Sequence, residues 1–165
     1  PEMERVALLV DPDDDAVDRA LAAVSPHRLQ LHGVESPERV SEIKRRSHCA
    51  IIKALPVETA DDVARAKDYA AIADWFLFDA KPPADKAADG VTGGHGEAFD
   101  WTAMKAYDLK QPYLLAGGLS AHNVAEAVAV SGAPMVDAAS GVESAVGEKD
   151  GRLLEEFITA LRGQE

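Results

Sequence analysis

The stretch RLQLHGVESPERVSEIKRRSHCAIIKA, residues 28–54, decides how this chain folds. It opens on a strand-like run, Arg28 to His32, in which Gln30 and His32 share one face. Ser36-Pro37 then sets a helix cap ahead of a first-turn proline, and a helical pattern follows. A second strand-like run begins at Ala50 and ends at Ala54. Strand, helix and strand in this order make a βαβ unit, whose two strands run parallel.

The same unit recurs on both sides. Further strand-like runs lie at Arg5 to Val10, Trp75 to Asp79, Tyr113 to Ala116 and Met135 to Ala138, each followed by a helical pattern. Helix starts are marked by Asp11-Pro12, by Thr59 with Asp62 as a capping box, and by Ser120 ahead of the run through Val130, with Gly132 as a stop. Strand starts recur roughly every 22 to 25 residues, except for one gap of roughly 38 that holds an insertion. Strict alternation demands right-handed crossovers and a parallel sheet covered on both faces, which leaves a doubly wound sheet or a (βα)8 barrel. Eight repeats of roughly 23 residues need about 185, whereas this chain of 165 has room for six and a short end. As a barrel it is short by about two βα units.

With 47% hydrophobic and 28% charged residues, the chain is expected to form one soluble globular domain over residues 1–165. Its 17 Lys+Arg against 29 Asp+Glu give a net charge of -12, which repels nucleic acid and an anionic membrane surface. The single cysteine, Cys49, excludes an intrachain disulfide and a multi-cysteine zinc site, and it fits a reducing cytoplasm. No apolar run approaches the roughly 18 residues of a membrane span, and no charged-then-apolar leader precedes the first strand. The chain begins on Pro1, with four residues ahead of a strand-like run, so residues upstream of it are expected.

In either architecture ligands bind where the strands end. Those positions carry His32-Gly33, Lys53, Asp79 with Lys81, Ala116-Gly117-Gly118 and Ser140-Gly141. Asp79 closes the apolar run Trp75-Phe76-Leu77-Phe78, a setting that prepares a carboxyl as a general acid while Lys81 pulls the other way. A loop aspartate capping a turn is the alternative. Gly117-Gly118 and Ser140-Gly141 end successive strands, and paired main-chain nests of this kind hold a phosphate dianion without a cationic side chain. Tight turns alone would also account for those glycines.

The insertion from Ala80 to Asp100 holds Gly90, Gly93, Gly94 and Gly96, with Phe99 and Trp101 at its far end, and reads either as a lid or as an ordinary loop. Asp11, Asp13, Asp14 and Asp15 suit a helix start better than a metal site. His27, His48, His95 and His122 share no ligand spacing and are expected at the surface. His32 faces inward with Gln30, either as a ligand-binding group or as a hydrogen-bonded core histidine. Cys49 precedes its strand, at the end opposite the site, and is a poor nucleophile candidate.

Five ordered motifs carry a family resemblance: Gln30-Leu31-His32-Gly33, Phe78-Asp79-Ala80-Lys81, Gly93-Gly94-His95-Gly96-Glu97-Ala98-Phe99-Asp100-Trp101, Leu115-Ala116-Gly117-Gly118-Leu119 with Asn123-Val124, and Val136-Asp137-Ala138-Ala139-Ser140-Gly141-Val142-Glu143. Together they resemble the phosphoribosylanthranilate isomerases. That resemblance implies a (βα)8 TIM barrel and the Amadori rearrangement of N-(5'-phosphoribosyl)anthranilate to 1-(2-carboxyphenylamino)-1-deoxyribulose 5-phosphate in tryptophan biosynthesis. It implies Asp79 as the general acid that protonates the ribose ring oxygen, and Gly117, Gly118, Ser140 and Gly141 as the phosphate holders. His32 is implied to orient the substrate, and neither metal nor cofactor takes part.

The chain departs from the family pattern at its start. The family's Lys-x-Cys-Gly first strand, which carries the general base, has no match, nor has the following unit with the arginine for the anthranilate carboxylate. Arg5 onward resembles the third strand, so strands 3 to 8 are expected, with unpaired edges prone to self-association. Ala139 stands where a serine is usual, and Glu97 where the loop usually carries a base. An inactive barrel fragment or phosphate-binding module is the alternative reading.

Overall fold

The computed structural model describes residues 3–81 and 98–163. Six strands form one sheet: β1 (Val6–Leu9), β2 (Arg28–Leu31), β3 (Ala50–Val57), β4 (Trp75–Ala80), β5 (Tyr113–Leu115) and β6 (Met135–Val136). They lie side by side in chain order and every pairing is parallel, as strict βα alternation requires. The connecting helices are α1 (Asp14–Val24), α2 (Pro37–Ser47), α3 (Ala60–Ala64) and α4 (Val124–Ser131). An antiparallel hairpin, β7 (Glu143–Ala145) with β8 (Glu148–Lys149), and the closing helix α5 (Gly151–Arg162) follow β6.

Alternation along the strands separates two apolar layers. On the helix side, Leu29, Leu31, Ile51, Leu55, Phe76, Phe78 and Leu115 pack against Val17 of α1 and Val40 and Ile43 of α2. Each such burial contributes about 1.5–3 kcal/mol, so this layer carries most of the fold's stability. On the other face, Ile52, Ala54, Leu77 and Ala116 form a smaller cluster with Trp75 and Leu114. At the β1 edge, Ala7 and Leu9 join the main core, but Val6, Leu8 and Val10, which alternate with them, are 44%, 56% and 44% exposed.

One polar pair lies inside the helix-side layer. Lys53 and Glu35 are each 1% exposed at the side chain, and their Nζ and Oε2 are 2.8 Å apart. Lys53 Nζ also donates to the carbonyls of Leu31 and Gly33, and Glu35 accepts the main-chain N–H groups of Asp11 and Gly33. The Tyr69 hydroxyl donates to the Glu35 carbonyl at 2.9 Å. Burial lowers the Lys53 ammonium's pKa, against the attraction of Glu35. The pair ties the loops after β1 and β2 to the middle of β3. Lys53 is therefore not at a strand end, as its place in the sequence suggests, because β3 runs on to Val57.

Several helix boundaries differ from the sequence expectation, each for a local reason. α1 is capped by Asp13, whose side chain accepts the Ala16 N–H at 2.7 Å, rather than by Asp11. Asp11 turns to a φ of 44° and accepts the Val34 N–H instead. α4 starts after Asn123, because Asn123 Oδ1 takes the Ser120 N–H and keeps that segment in a turn. The Thr59 and Asp62 capping box and the Gly132 stop form as expected. β4 is followed, beyond the insertion, by the 3-10 segment Trp101–Ala106 instead of an α-helix, and the hairpin after β6 had no recognised turn signal.

Candidate active site

The site sits at the carboxyl ends of the strands, on the face that carries the smaller apolar cluster. His32 follows β2 directly, and its N–H extends the ladder to the Leu9 carbonyl at 2.8 Å, which aims the imidazole to the same face as Gln30. Asp79 is the penultimate residue of β4 and reaches that face from the far side of β3. Between them, His32 Nε2 and Asp79 Oδ2 are 3.2 Å apart, with side chains only 13% and 12% exposed. Gln30 Nε2 lies 3.0 Å from His32 Nδ1, so three side chains stand in one line of close polar contacts.

Asp137 stands past the end of β6, where its N–H donates to the Leu115 carbonyl at 2.8 Å. Protein packed around this carboxyl raises its pKa although one side is open to solvent, and the neighbouring Asp79 charge pushes the same way against His32 and Lys149. Sequence reading included Asp137 in a motif without giving it a role. Its signal was the one that picked out Asp79, a carboxylate at the end of an apolar strand.

Two glycine turns border these groups. Gly117 and Gly118 have φ of 86° and 63°, a backbone region that side chains disfavour. A Cβ on Gly117 would overlap the Ala80 main-chain nitrogen, and one on Gly141 would overlap the Leu119 carbonyl oxygen, so both turns and the end of β4 are in direct backbone contact. Asn123 secures the first turn by donating to the Gly118 carbonyl at 2.9 Å. Ser140 opens the 3-10 turn Ser140–Val142 beside it. Among the described residues, the main-chain N–H groups of Gly118 and Leu119 have no hydrogen-bond acceptor.

Other sequence candidates lie elsewhere. Lys81 pairs with Glu58 at 3.2 Å, away from Asp79. Cys49 lies just ahead of β3, at the end opposite the site, its thiol donating to the Pro26 carbonyl at 3.4 Å. Asp14 pairs with Arg39 and Arg46. His27, His48 and His122 are exposed. His95 and the loop glycines Gly90, Gly93, Gly94 and Gly96 lie outside the described residues, whereas Phe99 and Trp101 pack against the main core. Among the described residues no helix is long and apolar enough to cross a membrane.

A parallel βα sheet with a His32–Asp79 contact and two backbone turns at its carboxyl ends has the layout of the βα-barrel class. The family model for N-(5'-phosphoribosyl)anthranilate isomerase matches residues 1–160. The isomerase of Rhodopseudomonas palustris is 49% identical over 158 residues, covering 96% of this chain and 73% of that protein. The Thermus thermophilus isomerase structure superposes with a TM-score of 0.82 at 29% identity, over 100% of this chain and 75% of that one. An isomerase solved with reduced 1-(o-carboxyphenylamino)-1-deoxyribulose 5-phosphate is 28% identical, with a TM-score of 0.76, over 99% of this chain and 73% of that one. The chain belongs to the N-(5'-phosphoribosyl)anthranilate isomerase family, and its function is that isomerisation in tryptophan biosynthesis. These matches do not favour an inactive phosphate-binding module.

Proposed function

We propose that Asp79 is the general acid of this isomerisation, that His32 orients the sugar, and that the turns at Gly117-Gly118 and Ser140-Gly141 hold the substrate phosphate. The observation that carries this reading is the 3.2 Å contact between His32 Nε2 and Asp79 Oδ2, beside two turns in backbone contact. A carboxyl over an apolar floor gives its proton to the ribose ring oxygen as the C1'–O bond breaks, leaving a Schiff base to the anthranilate nitrogen. Removal of the C2' proton by a base then yields the enolamine, which tautomerises to the ketose. Main-chain N–H groups at the glycine turns suit a phosphate dianion in a chain whose net charge is -12.

We read the six strands as the third to eighth of a barrel within one domain, because the inner residues of β1 are exposed and this chain spans about three quarters of its relatives' length. On this reading the base is the family's first-strand cysteine, carried by residues outside these 165. The exposed Val6, Leu8 and Val10 would then favour self-association when that strand neighbour is lacking. The lone Cys49 is in keeping with a reducing cytoplasm.

The phosphate assignment is tested by Gly141→Ala, whose methyl group drives the two turns apart. KM for the phosphorylated substrate is expected to rise about 10-fold or more, with a smaller change in kcat, and inorganic phosphate should no longer raise Tm. Unchanged KM with intact protection by phosphate would refute it.

A further inference from the structure

Three side chains stand in line on the face that carries the smaller apolar cluster: Gln30, His32 and Asp79, separated by 3.0 and 3.2 Å. The Gln30 atom against the ring is its amide nitrogen, which can only donate. His32 Nδ1 is therefore an acceptor, and the proton of the neutral ring sits on Nε2, facing Asp79 Oδ2. We infer that Gln30 is a positioning residue that holds His32 in the Nε2–H tautomer, so that His32 donates to Oδ2 of Asp79 and leaves the acid proton on Oδ1 for the substrate. This deepens, and rests on, the reading of Asp79 as the general acid.

The two tautomers have opposite consequences. With hydrogen on Nε2, the ring donates to the carbonyl oxygen of the neutral acid. When the Oδ1–H bond breaks and the proton passes to the sugar ring oxygen, the electron pair stays on a carboxylate that the N–H already solvates. With hydrogen on Nδ1, the bare Nε2 would accept the acid proton itself and draw it away from the substrate. An imidazolium would set Nδ1–H against the Gln30 NH2, so it forms only if the amide rotates to present its oxygen.

Among the described residues the charged groups near the ring are few. Asp79 meets it from β4, and Asp137, beyond β6, lies within range of its charge and of that of Lys149. Arg28, two residues before Gln30 on β2, stacks 4.4 Å over Trp75 and pairs with Glu4. No cation among these contacts replaces Gln30 in setting the tautomer.

The test is nitrogen-15 NMR of the His32 ring in the unliganded full-length enzyme, combined with kinetics of Gln30→Met and Gln30→Glu. The wild type is expected to show a protonated Nε2 and a bare Nδ1. Gln30→Met removes the donor and should give mixed tautomers with kcat down about 10-fold and KM little changed. Gln30→Glu demands a proton on Nδ1; where the spectrum shows the ring neutral, Nε2 is bare and kcat should fall about 100-fold. A wild-type ring protonated on Nδ1, or a tautomer change that leaves kcat intact, would overturn the inference. The ring spectrum is read without substrate, so it stands apart from the acid assignment, whose own test is turnover by Asp79→Asn.

Discussion

Asp79→Asn is expected to lower kcat by a factor of about 10² to 10⁴ with little change in KM. The measurement belongs in the full-length enzyme, since the only cysteine of these 165 residues, Cys49, lies just ahead of β3 at the far end of the sheet. Asparagine keeps the shape of the side chain and can still meet the His32 ring, so substrate binding should survive while proton donation is lost. The reaction is followed by the loss of anthranilate-ring fluorescence. On the reading that the base lies outside these 165 residues, they alone should give no turnover, because Cys49 is remote and His32 is already engaged by Gln30 and Asp79. Near-normal turnover by Asp79→Asn would remove it as the acid, and turnover by the isolated chain that His32→Ala abolishes would show that the base had been misplaced.

Lys53→Met should destabilise the fold by about 3–5 kcal/mol, the usual result of removing one partner from a buried ion pair. The cost arises on the side that remains. Glu35 keeps its two N–H donors from Asp11 and Gly33 but loses the cation, and the Leu31 and Gly33 carbonyls lose a donor. Replacing Glu35 by Gln in the same chain removes the stranded charge and keeps the acceptor for both N–H groups, so the double variant should recover roughly half of the loss. Urea denaturation of the two variants gives both numbers through the midpoint and slope. A cost below about 1 kcal/mol for Lys53→Met would mean that the pair adds little to the fold. Because the clamp holds residues on both sides of His32, the single variant should also broaden the His32 ring resonances.

The strand and helix order, the parallel sheet and its two faces were legible in the sequence, because they follow from local periodicity. Apolar runs near 28, 50 and 75 at regular spacing leave few ways to bury both faces, and Gln30 and His32 had to share a side. Asp79 and the glycine pairs were legible for the same reason, since each falls where a strand stops. Helix caps were less so: Asp11 and Ser120 look like caps, but their hydrogen bonds go to the Val34 N–H and the Asn123 side chain, and local residue type does not decide between such partners.

What only the tertiary structure decided are the pairings between residues distant in sequence. Lys53 reads as a strand-end group, and it became half of a buried clamp because β3 continues for four residues beyond it and Glu35 folds back beneath the loop. The contact of His32 with Asp79 spans two parallel strands, and the close backbone approach of Gly141 to Leu119 joins two loops, so neither leaves a signal within one run. Periodicity determines which face a side chain takes, because the backbone repeats every two residues. Which partner it meets on that face depends on strand register and loop path, and those are set by packing of the whole sheet.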